Sequence, residues 1–216
     1  YVMRIWAHDK WSTLPEWWKA AEETASIMRE RNFDEVSLEG VPADGRTRFG
    51  GWTMPLGWEV KQATLEVIEP AGLPDEYRYL CNWQDNPTSL NVWSAPTPKD
   101  GIVTELALME GSDPAELPKL NARGKIVLTG AYTRGLKRYL DPNGILGFVS
   151  DNIESNNRDF INANQWLNGW TDKPGWWFND YDSRNNFSFS ISQKKANYLR
   201  ELLRAGRTVK VRAKID

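Results

Sequence analysis

Four tryptophans crowd one stretch of the chain: Trp166, Trp170, Trp176 and Trp177 lie among Asn164, Asn168, Asn179 and Asp180. Indole faces beside amides and carboxylates can stack on a sugar ring, a base or a peptide side chain while the polar groups fix its orientation. Such rings can equally fill a core beneath a long loop, or form the face on which another domain sits, and the sequence leaves the three readings open. Histidine chemistry has little to draw on. His8, followed by Asp9, is the single histidine and Cys81 the single thiol, so a three-ligand metal site and a Ser-His-Asp or Cys-His arrangement both lack parts. Gly-x-Ser-x-Gly, the P-loop and the dinucleotide fingerprint are absent, and Gly144-Ile145-Leu146-Gly147 lacks the later glycine. Two carboxylates could cleave a glycosidic bond without histidine. Glu105, Glu110, Asp172, Asp180 and Asp182 are available, but their spacing pairs no two of them.

Composition narrows the class. The 216 residues carry 27 basic and 29 acidic side chains, a net charge of −2, so no polyanion-binding surface is implied. With 40% hydrophobic and 26% charged residues the chain is neither disordered nor a membrane protein, and no apolar run approaches the roughly 20 residues of a membrane span. One cysteine excludes an intrachain disulfide. Twelve tryptophans are the main excess. The chain opens on Tyr1 with no basic and apolar leader, and ends on Asp216 directly after a strand-like stretch. We therefore expect a piece of a longer, exported chain that continues past Asp216.

The elements that must position these residues follow from periodicity. Thr13-Leu14-Pro15-Glu16 reads as a capping box opening a helix to about Asn32, with Trp17, Ala21, Ala25 and Met28 as its apolar stripe. Alternation predicts strands over Val36–Val41 and Val60–Val67, with turn glycines between them. Proline-rich loop surrounds a short strand at Ser89–Ser94, and another strand spans Val103–Met109. Gly124–Gly130 and Gly144–Ser150 read as buried strands flanking a helix from Tyr132 to Leu140, a β-α-β unit with parallel strands whose order in the sheet periodicity alone leaves open. A long loop runs from Asp151 to Asn186, with partial exposure expected at Trp170 and Trp176. Phe187–Ile191 alternates as a strand, Ser192 caps a helix carrying Ala196, Leu199, Leu202 and Leu203, and Gly206 stops it. Val209, Val211, Ala213 and Ile215 point inward on the last strand, leaving Lys210, Arg212 and Lys214 as an edge-protecting or solvated row.

Several of these segments resemble a known family. Gly124-Lys125-Ile126-Val127-Leu128 is similar to the "Gly-Lys-Ile-Val-Leu" strand of protease-associated (PA) domains. Gly144-Ile145-Leu146-Gly147-Phe148-Val149 resembles the "Gly-Ala-Ala-Gly-Val-Ile" strand that follows it, with Ile145 and Leu146 where alanines are usual. Ser94-Ala95-Pro96-Thr97 with Gly101, and the closing run from Phe189 through Leu199-Arg200-Glu201-Leu202-Leu203 to Val209-Lys210-Val211, resemble the start and end of the PA insert of two-zinc aminopeptidases.

The resemblance implies a β-rich α+β fold, a PA-type β-sandwich or distorted barrel with flanking helices and an N-terminal helix, in which the Gly124–Leu128 and Gly144–Val149 strands are adjacent. It implies an N-terminal segment over 1–32, resembling the part that packs on the family's catalytic domain, and a PA-like domain over 33–216. Family enzymes hold two zinc ions through a His-Asp-Glu-Asp-His set lying after the PA insert. No catalytic, cofactor-binding or metal residue is therefore carried onto this chain, and zinc is expected only in a catalytic domain beyond it. The expected role is a non-catalytic lid or wall limiting substrate access, with a peptide substrate or the parent's own catalytic domain as partner and no nucleic acid. The alternative is an autonomous carbohydrate- or peptide-binding module built on Trp166, Trp170, Trp176 and Trp177. A glycosidase comes last.

Overall fold

The computed structural model describes residues 1–8, 14–133, 136, 143–154, 158–167, 178–183 and 186–216. The chain divides into two compact units, Tyr1–Glu59 with Lys173–Ser183, and Val60–Asp172 with Arg184–Asp216.

In the first unit, helix α1 (Val2–Trp6) lies against helix α2 (Glu16–Glu30). Arg4 fixes the pair by reaching Glu23 and, through both terminal nitrogens, Glu30 at 3.0 and 2.9 Å. The stripe expected on α2 is only partly buried. Of its residues Ala25 is buried and Ala21 half-buried, with Ala20 beside them also inside, whereas Trp17 and Met28 are 41% and 37% exposed. Small side chains make the close approach, and the large ones are left at its margins. Thr13, the expected cap, lies outside the described residues. The strand expected over Val36–Val41 does not form. Glu35 takes a φ of 52°, and the Val36 carbonyl accepts from Arg29 at 3.1 Å instead of joining a ladder. Strands β1 (Arg48–Phe49) and β2 (Trp52–Thr53) pair antiparallel across Gly50-Gly51.

The second unit is built on one seven-stranded sheet. Its strands are β3 (Ala63–Glu69), β4 (Tyr79–Asn82, entered through the short helix α3, Asp75–Arg78), β5 (Ile102–Leu108), β6 (Ile126–Thr129), β7 (Gly147–Ser150), β8 (Phe187–Ser190) and β9 (Lys210–Ile215), in the order β4-β3-β9-β5-β6-β7-β8. The half from β4 to β5 is antiparallel and the half from β5 to β8 parallel. As expected, β6 and β7 are adjacent and parallel, with Ile126 opposite Gly147. The helix expected between them lies largely outside the described residues.

The sheet curls until its edges meet. The Cys81 thiol on β4 donates to the Ser190 carbonyl on β8 at 3.6 Å, and Leu90 bridges to Phe189. The result is a nearly closed, distorted barrel in a β-rich α+β domain, as expected. All four residues of β8 are buried, so its alternation does not mark a solvated face. Parallel strands covered on both sides bury both faces. Burial pushes the Cys81 thiol up to about 12, so it stays protonated at neutral pH and should not react with a disulfide reagent until the protein unfolds. A stoichiometric reaction under native conditions within minutes would contradict this placement.

Two sequence expectations need correction here. Ser89–Ser94 is not a strand. It is a 3-10 turn, Pro87–Ser89, followed by an isolated bridge at Leu90, and Trp93 turns the chain away with a φ of 65°. The basic row on the last strand protects no edge, because β9 lies between β3 and β5. Lys210 instead pairs with Glu69 at 3.0 Å and Arg212 with Glu66 at 3.7 Å, matching charge across β3 and β9. Helix α4 (Gln193–Arg204) is as expected at both ends. Ser192 accepts from the Lys195 amide, and Gly206 at a φ of 73° closes a Schellman turn through its own amide to Leu203 and that of Arg207 to Leu202.

Candidate functional site

Of the four loop tryptophans, Trp170, Trp176 and Trp177 lie outside the described residues. Trp166 belongs to the second unit and is 43% exposed between two anchored neighbours. The Gln165 carbonyl accepts from Ser190 Oγ at 2.9 Å, and that of buried Leu167 accepts from the Val92 amide at 3.0 Å. Alternate residues are thus tied inward and the indole between them turns outward.

The larger aromatic surface is elsewhere, in the first unit. A cavity of about 770 Å³ opens between α2 and the segments after it, lined by Trp17, Trp18, Trp52, Trp58 and Phe178. Its rings are held in place. Trp18 donates from Nε1 to Glu22 at 2.9 Å, a contact one helical turn long, and its six-membered ring lies on Gly40. Trp52 and Phe178 meet edge to face, 6.5 Å between centroids at 80°. Trp18 and Trp52 nevertheless remain 44% and 55% exposed. Sequence reasoning took Trp17 and Trp18 as part of a packing face and left Trp52 and Trp58 unremarked. The available signal was their setting in Gly50-Gly51-Trp52 and Pro55-Leu56-Gly57-Trp58, which is turn sequence around large rings.

A knot of backbone contacts carries the wall of this groove. Leu56 donates to the Asn179 carbonyl at 2.8 Å and Gly57 to that of Ala43 at 2.7 Å. The Asp44 carboxylate accepts the amides of Arg46 and Thr47 at 2.8 Å each and the Thr47 hydroxyl at 2.7 Å. Gly45, at a φ of 69°, lets the turn approach the 180–181 backbone so closely that a Cβ would stand 2.4 Å from the Tyr181 nitrogen. The bonds from Thr47 and Arg46 hold the Asp44 carboxyl down at about 2. Its contribution to stability is therefore complete above the free carboxyl value of about 3.9 and lost as pH falls through 2. The Arg46 and Thr47 amide resonances should titrate near pH 2. A midpoint near 4 would contradict the turn.

Three of the five carboxylates considered for hydrolysis have other work. Glu105 pairs with Lys125 at 2.8 Å and Glu110 with Arg204, and each partner lowers the carboxyl below its ordinary range. A glycosidase acid needs the opposite shift. Asp180 accepts from the Ser183 hydroxyl at 2.9 Å as a turn residue, and Asp172 lies outside the described residues. His8 stands 3.3 Å from Glu16, which also pairs with Lys19. Among the described residues no three His, Cys, Asp or Glu side chains converge as a metal-ligand set. No helix among the described residues is long and apolar enough to cross a membrane.

No family model and no curated protein matches the chain. Solved structures do. A peptidase M28 precursor from Shewanella amazonensis SB2B superposes with a TM-score of 0.60 at 14% identity, over 99% of this chain and 44% of its own. BSAP, a zinc aminopeptidase from Bacillus subtilis, gives a TM-score of 0.54 at 16% identity, over 92% of this chain and 37% of its own. At these identities the likeness is one of fold. The chain spans less than half the length of either neighbour.

Proposed function

We propose that this chain is the N-terminal segment and PA-like region of an exported zinc aminopeptidase-like protein. In that reading it is a non-catalytic wall or lid that limits substrate access to a catalytic domain contributed by the rest of the parent chain. The observation that carries this reading is the superposition over 99% of the chain on a peptidase M28 precursor of which it matches only 44%. The Gly124–Leu128 and Gly144–Val149 resemblance adds support, because those segments are the neighbouring parallel strands β6 and β7. The peptide substrate and the catalytic domain are the partners this reading names, and any zinc belongs to the latter.

A second reading, an autonomous carbohydrate- or peptide-binding module, is favoured by the exposed indoles of Trp17, Trp18 and Trp52. The two differ in the size of the native polypeptide. An antibody raised against this chain should detect, in the source cells or their medium, a protein more than twice its 24.8 kDa. The corresponding reading frame should continue past Asp216 into a His-x-Asp motif. A native species of 24.8 kDa with a stop codon after Asp216 would overturn the first reading in favour of the second.

A further inference from the structure

We propose that the aromatic groove of the first unit is a binding site for a basic side chain, arginine or lysine, presented by an extended peptide. Its volume of about 770 Å³ is that of a ligand site rather than a packing defect. Among the described residues, the charged side chains lining it are Glu39 and Glu59. Neither carboxylate makes a hydrogen bond or ion pair among the described residues, whereas neighbouring Glu16, Glu22, Glu23 and Glu30 are all engaged. The groove therefore combines negative charge available for pairing with indole faces whose quadrupoles attract a cation.

The aromatic part is fixed before any guest arrives. Trp18 is held by Glu22 and Gly40, and Trp52 by Phe178, so little side-chain ordering remains to oppose binding. A guanidinium offers both things this wall can recognise, a flat face for the indoles and N–H donors for the carboxylates. A neutral sugar would stack on the rings but leave the carboxylates of Glu39 and Glu59 without a role. This inference stands independently of whether the chain belongs to a longer peptidase-like protein.

The test uses the purified chain and acetyl-Ala-Arg-Ala-amide, followed by calorimetry and tryptophan fluorescence. The citrulline counterpart, equal in shape and uncharged, and cellohexaose are run beside it. Saturable binding of the arginine peptide is expected, weakening with added salt, and about tenfold weaker for the citrulline peptide and for the Glu39→Gln/Glu59→Gln variant. Both substituted residues are exposed, and an unchanged circular dichroism spectrum shows that the variant is folded. Trp52→Ala should weaken binding, and Trp166→Ala should leave it unchanged. Equal affinity for the arginine and citrulline peptides, full affinity in the double Glu→Gln variant, cellohexaose binding in place of the peptide, or no saturable binding of either would each overturn the proposal.

Discussion

Gly147→Ala should destabilise the protein more than any other single methyl added to the second unit. Gly147 sits in β7 directly opposite Phe187 of β8, and a Cβ there would lie 2.5 Å from the Phe187 carbonyl oxygen and 2.7 Å from its ring. Neither obstacle is a flexible chain end. The carbonyl belongs to the sheet, and the ring is buried against Phe189, 6.1 Å away between centroids. Relief would require β7 and β8 to separate at the point where the parallel half of the barrel approaches closure. Overpacking of this kind costs about 3 kcal/mol, or about 6–12 °C in the melting midpoint for a chain of this size. Gly51→Ala is the control, since a Cβ there meets nothing within 4 Å and should leave the midpoint unmoved. Equal midpoints for the two variants would show that β7 and β8 are not paired in this register.

Arg200→Met should be the most damaging change among the charged residues. Arg200 on α4 grips the Asp151 carboxylate with both terminal nitrogens, at 2.7 and 2.5 Å, and the side chains are only 12% and 6% exposed. Asp151 follows β7 directly, so the pair fastens the helix to the end of the parallel strands. Removing the guanidinium leaves a carboxylate in a site from which water is largely excluded, at a cost of about 3–5 kcal/mol. The Asp151→Leu/Arg200→Met double variant should recover most of that loss, because the penalty belongs to the orphaned charge rather than to the missing pair. Denaturant unfolding of wild type and the three variants checks the cycle. Additive losses would contradict the geometry.

These two sites also show what the sequence made legible. The strands around Gly147 were readable because β6 and β7 are short apolar runs bounded by glycine, while their adjacency rested on the resemblance more than on periodicity. Helix α4 was readable at both ends because Ser192 and Gly206 are local signals that act through backbone geometry alone. Which residues close the barrel was not readable from periodicity. Closure depends on Cys81 and Leu90 meeting Ser190 and Phe189 about a hundred positions later, and no periodicity encodes a contact of that range. The edge-protecting reading of the basic row on β9 failed for a related reason, since a central strand and an edge strand carry the same alternation until their partners are known. Val36–Val41 failed because alternation needs a neighbouring strand, and the Val36 carbonyl found Arg29 first.

The candidate site was legible in residue type more than in position. An excess of tryptophan beside polar groups was the signal in the sequence, and it pointed to the stretch around Trp166. The structure gathers a second group, Trp17, Trp18, Trp52 and Trp58, from segments more than 30 positions apart in sequence. The turn at Asp44 and the contacts of Leu56 and Gly57 assemble that group, and each of these signals is too short to announce what it brings together.

The central claim is that this chain forms a wall beside a catalytic site and is not one itself. It is tested most directly by assaying the purified 216-residue chain against aminoacyl p-nitroanilides, with and without added zinc, and measuring its metal content after dialysis. The account expects no turnover above buffer under either condition and less than one tightly held zinc ion per chain, because a catalytic zinc takes three protein ligands and the chain has one histidine and one cysteine. Turnover that co-purifies with the chain, or one or more zinc ions retained per molecule, would contradict it.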